Sequence, residues 1–114
     1  MSCTASIRRS GDVSIIDLAG RIMQAAGSDA VREAIKGELA QGRRNILLNL
    51  NGVDFVDSSG LGAMASAFVT VDRLGGRLKL LNTQPRVEGM LHVTSLYRIL
   101  VTFVDENEAL ASFT

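Results

Sequence analysis

At 114 residues and 46% hydrophobic content, the chain suits one globular domain, residues 1–114, with a modest core. It is too short for a catalytic domain plus a regulatory one. Twelve basic and twelve acidic side chains cancel, so no net charge draws the chain to nucleic acid or an anionic membrane surface. The lone Cys3 allows no internal disulfide framework, and one tyrosine with no tryptophan leaves few aromatic anchors for bases or sugars. The first residues, "MSCTASIRRSGD", lack a signal-type apolar core, and no apolar run approaches the roughly 18 residues of a membrane helix. A cytoplasmic protein without direct membrane insertion is expected.

In chain order, "ASIRR" (5–9) and "VSIIDL" (13–18) flank "SGD" and predict a β-hairpin. "AGRIMQAAG" reads as irregular, bounded by glycines. Ser28 then suits an N-cap, with Asp29 in the first turn, the stripe Val31, Ala34, Ile35 and Leu39, and a stop at Gly42. "NILLNL" (45–50) reads as a buried strand. A second helix is expected over 58–74, with Leu61, Met64, Ala65, Phe68 and Val71 facing the core and Gly75-Gly76 ending it. "RLKLL" (77–81) follows as a strand, completing a βαβ unit. Pro85 opens a third helix with Val87, Met90, Leu91 and Thr94 on one side. "ILVTFV" (99–104) predicts the last strand, and Asp105 with Glu108 a capping-box start to a terminal helix with Ala109, Leu110 and Phe113 inward. The order β-β-α-β-α-β-α-β-α implies an α/β fold, a mixed sheet of four to five strands with about four helices packed on it.

The chemistry-bearing stretch is "NGVDFVDSSGLGAMASAF" (51–68), where Asp57, Ser58 and Ser59 stand at a strand-to-helix junction ahead of Gly60 and Gly62. A nucleophile elbow needs G-x-S-x-G, but Val56 occupies the place of the first glycine. The only histidine, His92, falls within the third helix, where it reads as a surface or core-edge residue rather than a base. Asp54 and Asp57 offer too few oxygens for a hard cation, one His and one Cys make no zinc set, and the glycines lack the P-loop lysine. No catalytic, metal or cofactor residue is therefore expected. Ser58 could simply cap the helix, with Asp57 favoured by the macrodipole. A cap leaves Gly60 and Gly62 unexplained, since each costs roughly 0.8–1.0 kcal/mol against alanine in a helix. Bare backbone there would let another protein approach closely.

"VDFVDSSGLGAM", preceded by "NILLNL" and followed by "LGGRLKLLN", resembles the STAS domain of bacterial anti-sigma factor antagonists. The opening hairpin ending "IDLAGRI", the helix 28–41 and the tail "VTSLYRILVTFVDENEAL" fall in the same family order. The resemblance implies that Ser58, first serine of D-S-S-G, is a phosphorylation site in a partner switch. The unmodified antagonist would bind an anti-sigma factor that is also a serine kinase, and so free a sigma factor. Phosphorylation would break that complex, and a PPM-type phosphatase would reset it. Such a protein is a substrate and ligand, not an enzyme. The expected partner-binding residues are Asp57, Ser58, Ser59, Gly60, Leu61, Gly62 and Met23. Met23 stands where many family members carry an acid in G-x-L-D, in a loop on the partner-binding face. Two alternatives stay open: a STAS accessory subunit of a lipid ABC transporter or signalling assembly, in which Ser58 is only a cap, and a small hydrolase using Ser58.

Overall fold

Alternation along the strands decides which way the sheet faces. In "VSIIDL", Val13 and Ile15 point to one side and Ile16 and Leu18 to the other, and all four are buried. A sheet that is apolar on both faces has to be covered on both. A computed structural model, describing residues 3–114, shows how. The elements are β1 (Thr4–Ser10), β2 (Val13–Ile22), α1 (Gln24–Ala40), β3 (Asn45–Val56), α2 (Ser58–Arg73), β4 (Arg77–Leu81), α3 (Pro85–Val93), a 3₁₀ turn (Leu96–Arg98), β5 (Thr102–Phe103) and α4 (Glu106–Ala111). The strands lie in chain order across one five-stranded sheet. β1 is antiparallel to β2, and the other neighbours are parallel. Strands added in sequence through crossovers of one hand leave their connecting helices on one face. Accordingly α1, α2 and α3 contribute Val31, Ile35, Leu61, Met64, Val87 and Leu91 to one large core with Ile16, Ile46, Leu48 and Leu80. Among the described residues α4 alone covers the opposite face, setting Ala109 and Phe113 against Val13, Ile15, Leu47 and Leu81.

The expected element order is present, with instructive differences at the boundaries. β2 and β3 do not stop at residues 18 and 50 but continue as a bulged parallel ribbon to Ile22 and Val56. Gly52 fits because a Cβ there would lie 2.9 Å from Leu18 O. α1 starts at Gln24, so Ser28 is no cap; it is buried inside the helix, and "AGRIMQAAG" is strand end plus first helical turn. In α2, Ala63 and Ala67 are buried, whereas Ala65 and Phe68 sit at the core's margin. Thr94 is the exposed C-cap of α3 rather than part of its inner face. The run 99–104 forms only two residues of strand, because Ser95 turns through positive φ into the 3₁₀ turn and Leu100 plugs the core before pairing begins. Asp105 caps α4 as expected, accepting from Glu108 N at 3.0 Å.

One buried charge ties the hairpin to α1. Glu38, 3% exposed, accepts from Arg9 Nε (3.1 Å) and Nη2 (2.9 Å) and from Ser14 Oγ (2.7 Å). Arg43 Nε in turn donates to Ser14 Oγ at 2.6 Å. The Arg9 guanidinium, ahead of the opposing cost of burial, holds the Glu38 carboxyl below the ordinary glutamate value. A depressed native pKa adds stability that is present above the unfolded value, 4.5, and is lost as pH falls through the native one. Glu38→Gln is expected to lower unfolding free energy at pH 7 by about 1–3 kcal/mol, and the gap to wild type should close in acid. Urea titrations at pH 7 and pH 3 check this; an equal gap at both would refute it. Truncation along α2 separates core from margin. Met64→Ala, fully buried, should cost about 2–5 kcal/mol, and Phe68→Ala less than the roughly 3–5 kcal/mol of a fully buried phenylalanine.

Candidate functional site

The parallel ribbon of β2 and β3 brings two distant loops together. Ile22 pairs with Val56, so the residues that follow, Met23–Gln24 and Asp57–Ser58, leave the sheet side by side. Asp57 N donates to Ile22 O at 3.1 Å, closing the junction. Both helices start at this spot, and their first N–H groups need acceptors.

Asp57 supplies them for both. As N-cap of α2 it accepts from Gly60 N through Oδ1 at 2.9 Å. Its other oxygen, Oδ2, accepts from Gln24 N, the first residue of α1, also at 2.9 Å. α1 has no cap of its own, because Met23 stands at its N-cap position and has no side-chain acceptor. Gln24 adopts φ +58, an uncommon conformation for a residue with a side chain, and the carboxylate holds it there. Ser59 Oγ donates to Asp57 Oδ1 at 2.7 Å. That bond first, then those from Gln24 N and Gly60 N, keep the Asp57 carboxyl below its ordinary pKa, so it is charged at neutral pH. The cap is thus Asp57, not Ser58.

The two serines differ accordingly. Ser59 also accepts from Ser28 Oγ at 3.1 Å, and Ser28 is only 2% exposed. The Ser59 hydroxyl is therefore held between a buried donor and a charged acceptor. Ser58, at the first helical position, is exposed, and its hydroxyl has no hydrogen-bond partner among the described residues. One step around a helix turns a side chain by about 100°, which is why neighbours meet such different surroundings.

The glycines also divide. A Cβ on Gly60 would lie 2.3 Å from Ile22 O and 2.8 Å from Val56 Cγ1, so Gly60 lets α2 start tight against the ends of β2 and β3. That accounts for Gly60 without any partner. A Cβ on Gly62 would meet nothing within 4 Å, and intramolecular packing gives no reason for a glycine there. Leu61 is buried in the main core, so its side chain is turned away from the surface that Ser58 and Gly62 share. Met23 is half-buried beside them.

Two further side chains resolve the sequence readings. His92 lies exposed at the end of α3, stacked on Tyr97 with ring centroids 4.4 Å apart and 3.3 Å from Glu88. No hydrogen bond joins it to Ser58 among the described residues. Asp54, weighed above as a cation ligand, is exposed and faces Arg21, whose Nε lies 3.5 Å from its Oδ1. The uncompensated carboxylate at the junction is Asp57. Gln24 and Ser28 belong to this arrangement and carry no signal in the sequence: Gln24 acts through its backbone, and Ser28 looks like a cap.

What this junction can do is receive an anion: Ser58 presents a free hydroxyl over a helix N-terminus, where N–H groups and the helix dipole favour negative charge. Known proteins place the whole frame. The chain matches the STAS domain family over residues 4–109. The anti-sigma F factor antagonist of Paenibacillus polymyxa is 31% identical over an alignment of 87 residues that covers 73% of this chain and 72% of that one. The crystal structure of an anti-sigma factor antagonist from Mycobacterium paratuberculosis is similar with a TM-score of 0.85 at 20% identity, over 98% of this chain and 94% of that one. The Bacillus cell fate determinant SpoIIAA in its phosphorylated form gives 0.74 at 22% identity, over 97% and 100%. At those identities the two structures speak for the fold alone. The family match runs from the first strand into the last helix, and the chain belongs to the STAS domain family.

Proposed function

We propose that this chain is an anti-sigma factor antagonist switched by phosphorylation of Ser58. The observation that carries the reading is the contrast at the α2 start: Ser58 has a free, exposed hydroxyl, while Ser59 is bonded on both sides. The Paenibacillus polymyxa relative is named an anti-sigma F factor antagonist, and SpoIIAA, of the same fold, exists in a phosphorylated form. In the unmodified state the surface of Met23, Asp57, Ser58 and Gly62 docks on an anti-sigma factor that is also a serine kinase, and a sigma factor is freed. Ser58 Oγ then takes the γ-phosphoryl group of ATP, loses its proton, and ADP leaves. A PPM-type phosphatase restores the hydroxyl. The chain is the substrate of these reactions and catalyses none.

The energetics favour a switch in binding over a change in fold. Phosphorylation adds about −1.5 to −2 charges beside the Asp57 carboxylate. The helix N-terminus offsets part of that repulsion, by about 0.3–1 kcal/mol. In a closed interface the same charge is stranded unless the partner supplies a cation, at a cost on the order of 2–5 kcal/mol. That is about 30- to several-thousand-fold in affinity.

Incubation with ATP and the anti-sigma factor kinase should label wild type and Ser59→Ala, and leave Ser58→Ala unlabelled. Persistent full labelling of Ser58→Ala would sink the assignment. Ser58→Asp should keep the wild-type circular dichroism spectrum and a melting point within a few degrees, yet lose the partner in titration calorimetry. Ser58→Ala should bind and resist release by ATP. Equal affinity of the phosphorylated and unphosphorylated forms would be fatal to the switch.

A further inference from the structure

At the other end of α2, a second surface is left open. The ladder between β4 and the last strand starts only at Leu80, which donates to Val101 O at 2.8 Å, followed by Asn82 N to Phe103 O at 2.8 Å. The Arg77–Leu78 end of β4 therefore has no strand beyond it. A groove of about 300 Å³ lies there, between this end of β4, the C-terminal half of α2 and residues 98–101. Its apolar side is Phe68, Ile99 and Val101, and Ile99 and Val101 remain 38% and 47% exposed. The run "ILVTFV" is the most strand-prone stretch of the chain, yet only two of its residues pair. Neither proline nor bulge blocks this edge; its protections are the shortness of the last strand and the basic side chains around it.

The rim is cationic. Arg77 and Arg98 both line the groove, and neither has a carboxylate within ion-pair distance among the described residues. Lys79 also borders it, but its ammonium is bonded to Ser112 O at 3.0 Å and Ser112 Oγ at 2.8 Å. Asp72 is the lone acid of the lining. A second copy of the chain would bring the same two arginines against their own kind, which disfavours self-association. An extended segment with alternating apolar and acidic side chains matches both features. We propose that this groove docks such a segment from another protein, its apolar residues on Phe68, Ile99 and Val101 and its carboxylates on Arg77 and Arg98. Asp72 is fourteen residues along α2 from Ser58, about 21 Å at helical rise. The surface is thus separate from the serine site.

The test uses the whole chain and a blocked heptapeptide alternating glutamate and valine, with a lysine–valine peptide as control, followed by two-dimensional amide NMR. The glutamate peptide should shift amides of residues 76–79 and 98–101 saturably, and the lysine peptide should not. The double variant Arg77→Glu/Arg98→Glu, altered at two exposed positions, should fold and bind the glutamate peptide at least about tenfold more weakly. Its preference should swing to the lysine peptide. Three results each overturn the proposal: equal response to both peptides, shifts confined to the Ser58 end, or no saturable shift up to millimolar peptide. A wild-type dimer in sedimentation that the double variant disperses would also overturn it, by assigning the groove to a second copy.

Discussion

Two helices of this fold begin on one carboxylate. Asp57 gives one oxygen to α2 and the other to α1, which has only Met23 at its own cap position. Everything at the junction follows from that division. It fixes Gln24 in its left-handed turn, sets the two helix starts at a constant separation, and engages Ser59 as a third donor. With Ser59 occupied, the serine beside it faces outward without a partner. The chemistry proposed for Ser58 thus depends on a structural task performed by its two chain neighbours. Met23 offers no acceptor in the α1 loop, and Asp57 performs that task from the neighbouring junction.

The sheet supports this by carrying β2 and β3 past the point where their apolar runs end. The pairing of residues 19–22 with 52–56 survives two register shifts, and its last pair delivers both loops to one spot. Gly60 then allows α2 to start in contact with Ile22 and Val56. The base under the two helix starts is thus closely packed and held by backbone bonds. Around it, the Glu38 cluster performs the same office for the hairpin, fastening β1 and β2 to the far end of α1.

Much of the architecture was legible from periodicity. Strand and helix order, the α2 start and the Asp105 cap all carry local signals, and local signals are what a sequence displays. The misreadings share a cause. Ser28 has the composition of a cap, but the helix had already begun four residues earlier at a residue with no capping side chain, because its acceptor comes from Asp57, thirty-three residues away. "ILVTFV" has strand propensity throughout, but Ile99 and Leu100 still donate to Leu96 O at the end of the 3₁₀ turn, so pairing starts only beyond them. Phe68 fits the helical stripe, yet it lies at the open end of β4, where the last strand has not begun to pair, and its ring stays at the margin of the core. The D-S-S-G motif around Ser58 was visible in the sequence. Why Ser58 rather than Ser59 presents its hydroxyl was not, since that rests on a buried contact from another helix.

Among the described residues α4 is the only helix on its face of the sheet, and it follows every strand. Val13, Ile15, Leu47 and Leu81 thus await a cover made from residues 106–113. A six-residue helix has too few turns to form by itself in water, so it gains its shape only on docking. It is fastened by Lys79 to Ser112 and by Arg8 to Glu106, the latter contact joining segments 98 residues apart. During synthesis, at about 5–20 residues per second, the nascent sheet spends on the order of seconds with an apolar side uncovered. That interval, rather than any weakness of the finished domain, is when the apolar face is most open to aggregation.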